Sequence, residues 1–110
     1  MKLRKRACWP ALFLVLAMLP GLVAAELTKR QINLLENNCL QCHARPGIGV
    51  PVIGDAAAWK DRVQLGEEKL LASTVVGLRG MPPLGYCSAC TEQDFRAMNR
   101  MLAGLAEVAK

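Results

Sequence analysis

The chain has 110 residues, with 14 Lys and Arg, nine Asp and Glu, one His and five Cys, for a formal charge of +5. Four of the basic residues and no acid sit in the opening "MKLRKR", so residues 26–110 carry 10 basic against 9 acidic side chains, a net +1. That near neutrality excludes a nucleic-acid binder built on basicity, which needs clustered Lys and Arg, and so short a chain forms one domain with a small core that a disulfide, metal or cofactor often completes.

In chain order, the cationic head is followed by "ACWPALFLVLAMLPGLVAA", 19 residues without a charge, ending in small residues at both cleavage-determining positions. This pattern is a secretory signal peptide over 1–25, cut after Ala25. A retained anchor is the rival reading, but Pro10, Pro20 and Gly21 shorten the helical part to about the length of a signal core. Residues 26–110 are then the exported domain, and the localisation expected is the periplasm. Cys8 leaves with the signal, and four cysteines remain in two Cys-x-x-Cys pairs.

"LTKRQINLLENN" opens with a capping box of Thr28 and Gln31, with Leu27 and Ile32 in staple positions, and predicts a helix from about Lys29 into Cys39. "ARPGIGVPVIGD" has two prolines and three glycines and is an irregular loop, whose Ile48, Val50, Val52 and Ile53 suit the lining of a pocket. Asp55 caps a short helix through "AAAWKDRV", and Gly66 breaks it. "EEKLLASTVVGL" is a third helix, with two acids in its first turn and Gly77 near its end. "RGMPPLGYCSAC" is irregular again. The last helix starts at Thr91 with Asp94 as its box partner, and Phe95, Met98, Leu102, Leu105 and Ala109 recur on one stripe. No segment alternates as a strand does, so the fold class is all-α.

The stretch "CLQCH" at 39–43 admits three chemistries. Structural zinc could take four thiolates from the two pairs, but 44 residues separate them, zinc ribbons need β-knuckles, and an oxidising compartment disfavours four free thiols. A redox dithiol needs a helix N-terminus to lower its thiol pKa, whereas this pair lies at a helix end. Covalent haem uses every residue: Cys39 and Cys42 add to the two vinyl groups of one porphyrin, and the adjacent His43 turns onto the iron. The export signal meets the requirement that such attachment occur outside the cytoplasm.

One histidine and one such motif mean one haem without bis-histidine ligation. Methionine is the remaining strong ligand type, and residues 26–110 offer Met81, Met98 and Met101. Met98 and Met101 lie on or beside the apolar stripe and read as core packing. Met81 stands in a helix-free loop after Gly80 and before Pro82 and Pro83, which bias it toward an extended backbone. Met81 is therefore the expected second axial ligand. Cys87 and Cys90 become a disulfide, worth about 2 kcal/mol by loop entropy, beside the Met81 loop. A backbone carbonyl of the loop after His43, with Pro51 the one named, is expected to take the second imidazole N–H. Arg62, Arg79 and Trp59 are candidates for the haem propionates, each equally readable as surface or core.

Taken together, "CLQCH" with its Gly- and Pro-rich loop, "GDAAAWKDR", "GLRGMPPLGYCSAC" and a terminal helix resemble the small class I cytochromes c of the c-five type, over essentially all of 26–110. The resemblance implies about four helices compactly arranged around one covalent haem c, His43 and Met81 as axial ligands, and a Cys87–Cys90 disulfide. It implies an electron carrier and not an enzyme. The partners it implies are respiratory redox proteins such as a quinol–cytochrome c reductase, a terminal oxidase or a periplasmic reductase, with membrane association through such partners and a monomer or weak dimer. The family's usual Lys and Gly after "MPP" are here Leu84 and Gly85-Tyr86, which bears on the docking surface. Two other function classes stay open: a haem enzyme or sensor with a displaceable Met81, and a zinc-stabilised binding module.

Overall fold

The computed structural model describes residues 26–105. The expected signal peptide, 1–25, and Ala109 of the expected last-helix stripe lie outside the described residues. The architecture is all-α, as the helical patterns predict. Among the described residues the extended pairing consists of a single bridge between Leu78 and Met81.

Helix α1 (Lys29–Leu34) begins at the predicted capping box. Thr28 Oγ1 accepts from the Gln31 N–H at 3.1 Å, and Gln31 Oε1 accepts from the Thr28 N–H at 3.0 Å. Leu27 packs against the core, whereas Ile32, the other half of the expected staple, is exposed. The helix does not stop at Cys39. It widens into a π-helical turn over Leu35–Cys39 and closes again as α2 (Leu40–His43). A widened turn releases carbonyls from the regular i→i+4 pattern, and side-chain amides supply donors around it: Asn37 Nδ2 to Asn33 O, Asn38 Nδ2 to Leu34 O and Gln41 Nε2 to Glu36 O.

Asp55 accepts from the Ala58 N–H at 3.1 Å and starts α3 (Ala56–Gln64), and Gly66 separates it from α4 (Glu67–Val76). Helix α5 (Glu92–Ala103) carries the second capping box, between Thr91 and Asp94. It ends earlier than its stripe suggests. Gly104 adopts φ 71°, the Leu105 N–H reaches Arg100 O at 2.8 Å and the Gly104 N–H reaches Met101 O at 3.3 Å. These are the two bonds of a Schellman motif, which glycine closes without a Cβ clash, so Leu105 falls outside the helix and packs on the core from the turn.

The core is small. Phe95, Met98, Leu102 and Ala103 of α5 pack with Leu35, Trp59 and Cys87. Burying each large apolar side chain is worth about 2 kcal/mol, and five of them carry most of this core. Across from it, Arg96 pairs with Glu68 and Glu92, and Arg100 with Glu67, on the open face of α4 and α5. Exposed pairs of this kind add less than about 1 kcal/mol each.

A more consequential pair joins α1 to α5. Arg30 donates to Asp94 at 2.6 Å and to Ala89 O at 2.8 Å, while Gln31 Nε2 reaches the other Asp94 oxygen at 3.3 Å. Asp94 is buried. Its bonds from Arg30 and from Thr91 hold its carboxyl well below the usual carboxylate range. One carboxylate therefore caps α5, clamps α1 and, through the shared arginine, anchors the loop between the paired cysteines.

Candidate haem site

The helix that ends at His43 explains the spacing of the motif. Residues three and four apart share one side of a helix, so Cys39, Cys42 and His43 project from the same end of one rigid element. Cys39 is half-buried and Cys42 exposed, and both are free thiols. Burial pushes the Cys39 thiol pKa up, the reverse of what a redox-active dithiol requires.

His43 is buried and held by three separate contacts. Its Nδ1 lies 2.7 Å from Pro51 O, the carbonyl expected from sequence. A carbonyl has no proton to give, so Nδ1 is the donor, and Nε2 keeps the lone pair that binds a metal. The ring stacks on Trp59 with centroids 5.7 Å apart. The His43 carbonyl accepts from the Ile53 N–H at 2.8 Å, which closes the irregular loop over 44–53 against the helix.

Trp59 is the residue whose role the sequence does not disclose. It is buried, and its indole Nε1 donates to Val52 O at 2.9 Å. That N–H is already used, so Trp59 supports His43 and its loop instead of reaching out to a propionate. Arg62 folds back onto Ala58 O of its own helix. Arg79 is exposed.

Met81 sits opposite in kind, on a loop. Leu78 and Met81 exchange both backbone bonds, at 3.1 and 3.0 Å, around a two-residue reversal at Arg79-Gly80. The left-handed position in that reversal falls on Arg79, φ 54°, and not on Gly80. After Pro82 a 3₁₀ turn, Pro83–Tyr86, follows, in which Leu84, Gly85 and Tyr86 all have positive φ. Non-glycine residues held there are strained by about 1–2 kcal/mol each. A Cβ added at Gly85 would lie 3.7 Å from Met81 Cε, so the thioether end of Met81 runs beneath that turn. The other two methionines are placed elsewhere: Met98 is 1% exposed in the core and Met101 packs beside it.

Cys87 and Cys90 are joined in a disulfide, with Cα atoms 5.4 Å apart. The Cys87 N–H donates to Leu84 O at 2.9 Å, which ties the bond to the strained turn. The disulfide also removes two of the four thiolates that a zinc site would use, and among the described residues no group of three or more His, Cys, Asp or Glu gathers as a metal site.

These residues fit a covalent haem by their own chemistry: two free thiols and an imidazole with a fixed tautomer on one helix end. The loops on either side offer exposed Ile48 and Leu78 and half-buried Val50, Val52, Met81 and Pro82 as apolar cover. Among the described residues no helix is long and apolar enough to cross a membrane.

Comparison with known proteins agrees. The protein family described as cytochrome c oxidase, cbb3-type, subunit III matches residues 27–100. Cytochrome c5 of Ectopseudomonas mendocina is 36% identical over 75 residues, which cover 66% of this chain and 86% of that protein. Cytochrome c5 of Azotobacter vinelandii is 38% identical over 75 residues, covering 66% of this chain and 90% of that one. A chain in the crystal structure of an electron transfer complex of nitrite reductase with cytochrome c superposes with a TM-score of 0.63 at 31% identity, over 74% of this chain and 99% of that one. The Cys-x-x-Cys-His helix, the Met loop with its disulfide and these relatives converge: the chain belongs to the small class I cytochromes c of the c5 type, which carry one covalently bound haem c.

Proposed function

We propose that this cytochrome is a periplasmic carrier of single electrons, with His43 and Met81 as the axial ligands of the iron and Cys39 and Cys42 as the thioether anchors. The observation that carries the reading is the 2.7 Å bond from His43 Nδ1 to Pro51 O, which leaves Nε2 as the metal-binding nitrogen. When bound, the haem supplies a one-electron iron(III)/iron(II) couple, and histidine with methionine ligation raises its potential. Trp59 and Pro51 orient the imidazole. With a haem bound, Met81 would hold the iron from the side away from His43 and would keep oxygen and peroxide off it, which favours electron transfer over catalysis. The export pattern of residues 1–25 supports the periplasmic assignment.

The partner proposed is a periplasmic reductase, in line with the nitrite reductase that accompanies the similar chain in its crystal. A quinol–cytochrome c reductase or a terminal oxidase fits the same role at the other end of the transfer. Two measurements test the reading. Protein purified from periplasmic extract should carry one haem by mass, and M81A should lose the weak long-wavelength absorption that ferric iron shows when bound to thioether sulfur. Persistence of that band in M81A would overturn the ligation, and a mature chain without haem would overturn the cytochrome itself. Oxidase or peroxidase turnover by the unaltered protein would instead favour the haem enzyme with a displaceable Met81.

A further inference from the structure

The C-terminal tip of α4 lies directly on the backbone that presents Met81. Gly77 closes the helix, its N–H bonded to Ser73 O at 3.0 Å, and it has φ 87° and ψ 156°. A Cβ at residue 77 would lie 2.8 Å from Met81 O, 2.9 Å from Pro83 N and 3.2 Å from Pro82 C, distances at which something must shift. All three are main-chain atoms, so no rotamer change can relieve the contact. Pro82 and Pro83 have ring-locked φ, which leaves that stretch little freedom to yield. Met81 O also accepts from the Leu78 N–H at 3.1 Å, so a push at this carbonyl acts on the reversal that carries the methionine.

We propose that Gly77 is a positioning residue for Met81: the missing side chain lets α4 lie flush against the Met81-Pro82-Pro83 backbone and so sets how far the thioether reaches toward the iron. The proposal rests on Met81 being an axial ligand. Gly66 supplies an internal control. It starts the same helix with nearly the same backbone, φ 88° and ψ 161°, but a Cβ there meets nothing within 4 Å. Alanine at 66 and at 77 therefore imposes the same left-handed strain, and only alanine at 77 also presses on the methionine backbone.

The experiment compares holoproteins G66A, G77A and M81A with the unaltered protein by ferric absorption, imidazole titration and thermal unfolding followed by far-ultraviolet circular dichroism. G77A is expected to lose the thioether band, as M81A does, while keeping its helical signal, and to bind imidazole at least roughly tenfold more tightly because the internal ligand no longer competes. G66A is expected to keep the band and the affinity of the unaltered protein. At saturating imidazole, which supplies its own sixth ligand, the unfolding temperature of G77A should return to that of G66A.

A band retained in G77A but lost in M81A would overturn the positioning role and leave the ligation standing. A band retained in M81A would overturn the ligation and this inference with it. Failure of imidazole to bring G77A back to the stability of G66A would show that Gly77 supports the whole fold and not the ligand, and would overturn the proposal even where G77A is poorly folded on its own.

Discussion

The two sides of the site are built by different means. On the His43 side the donor stands at the end of a helix, and local bonds fix it: the ring to Pro51 O, the ring face to Trp59, the carbonyl to Ile53 N–H. On the Met81 side no helix carries the donor. A two-residue reversal, three left-handed residues after it, a disulfide and the tip of α4 hold it from outside. A donor on a helix inherits its rigidity from the helix, whereas a donor on a loop borrows rigidity from tertiary contacts. The Met81 side should therefore yield first whenever stability is lowered generally.

The largest effect is expected on the His43 side. W59A removes a buried aromatic and the face on which His43 stacks, and should cost about 3–5 kcal/mol in a denaturant titration. If the His43 side is the better anchored, W59F should recover more than half of that loss, since it restores a ring without the Val52 bond.

Removing the disulfide as C87A/C90A should cost about 2 kcal/mol. The thioether band should bleach at lower denaturant than the helical signal, because the turn bonded to Cys87 holds the loop on which Met81 stands. Coincident transitions would break the proposed asymmetry.

Asp94 bears on neither donor directly and should discriminate less. Its carboxyl pKa is held below the ordinary value by Arg30 and Thr91. Its stabilising contribution is therefore complete above the unfolded-state value near about 4 and declines as pH falls through the lower folded value. D94N should cost about 1–2 kcal/mol at neutral pH through the lost cap and clamp. Its stability should also be flatter than that of the unaltered protein between roughly pH 5 and pH 2, as read by unfolding midpoints in that range.

The smallest effect is a gain. R79G relaxes a left-handed non-glycine residue in the reversal before Met81 and should stabilise the protein by up to about 1 kcal/mol, less the entropy that glycine adds to the unfolded chain. The result sharpens the comparison: a stabler protein with a weaker thioether band would show that the strain at Arg79 serves ligation.

Helix starts were legible because they are local. Thr28 with Gln31, Asp55, and Thr91 with Asp94 cap where the sequence places them, since a side chain reaching a backbone N–H three residues on needs nothing distant. Helix ends were less legible. The π-turn over Leu35–Cys39 has no periodicity signal, though the amides of Asn37, Asn38 and Gln41 around it are a sign that could have been read. The α5 stripe pointed past Gly104, but a single left-handed glycine stops a helix that apolar spacing would continue.

What the sequence by itself determined is the chemistry: two thiols and an imidazole at helical spacing, a methionine before two prolines, and a second cysteine pair that an oxidising compartment joins. These depend on residue identity and short separation, which a sequence displays. Only the tertiary structure decided which nitrogen of His43 is committed, that Trp59 serves the histidine, that Arg30 and Asp94 clamp the first helix to the last, and that Gly77 lies against the Met81 backbone. Each of these joins segments far apart in the chain or depends on a contact direction, and packing in three dimensions alone sets both.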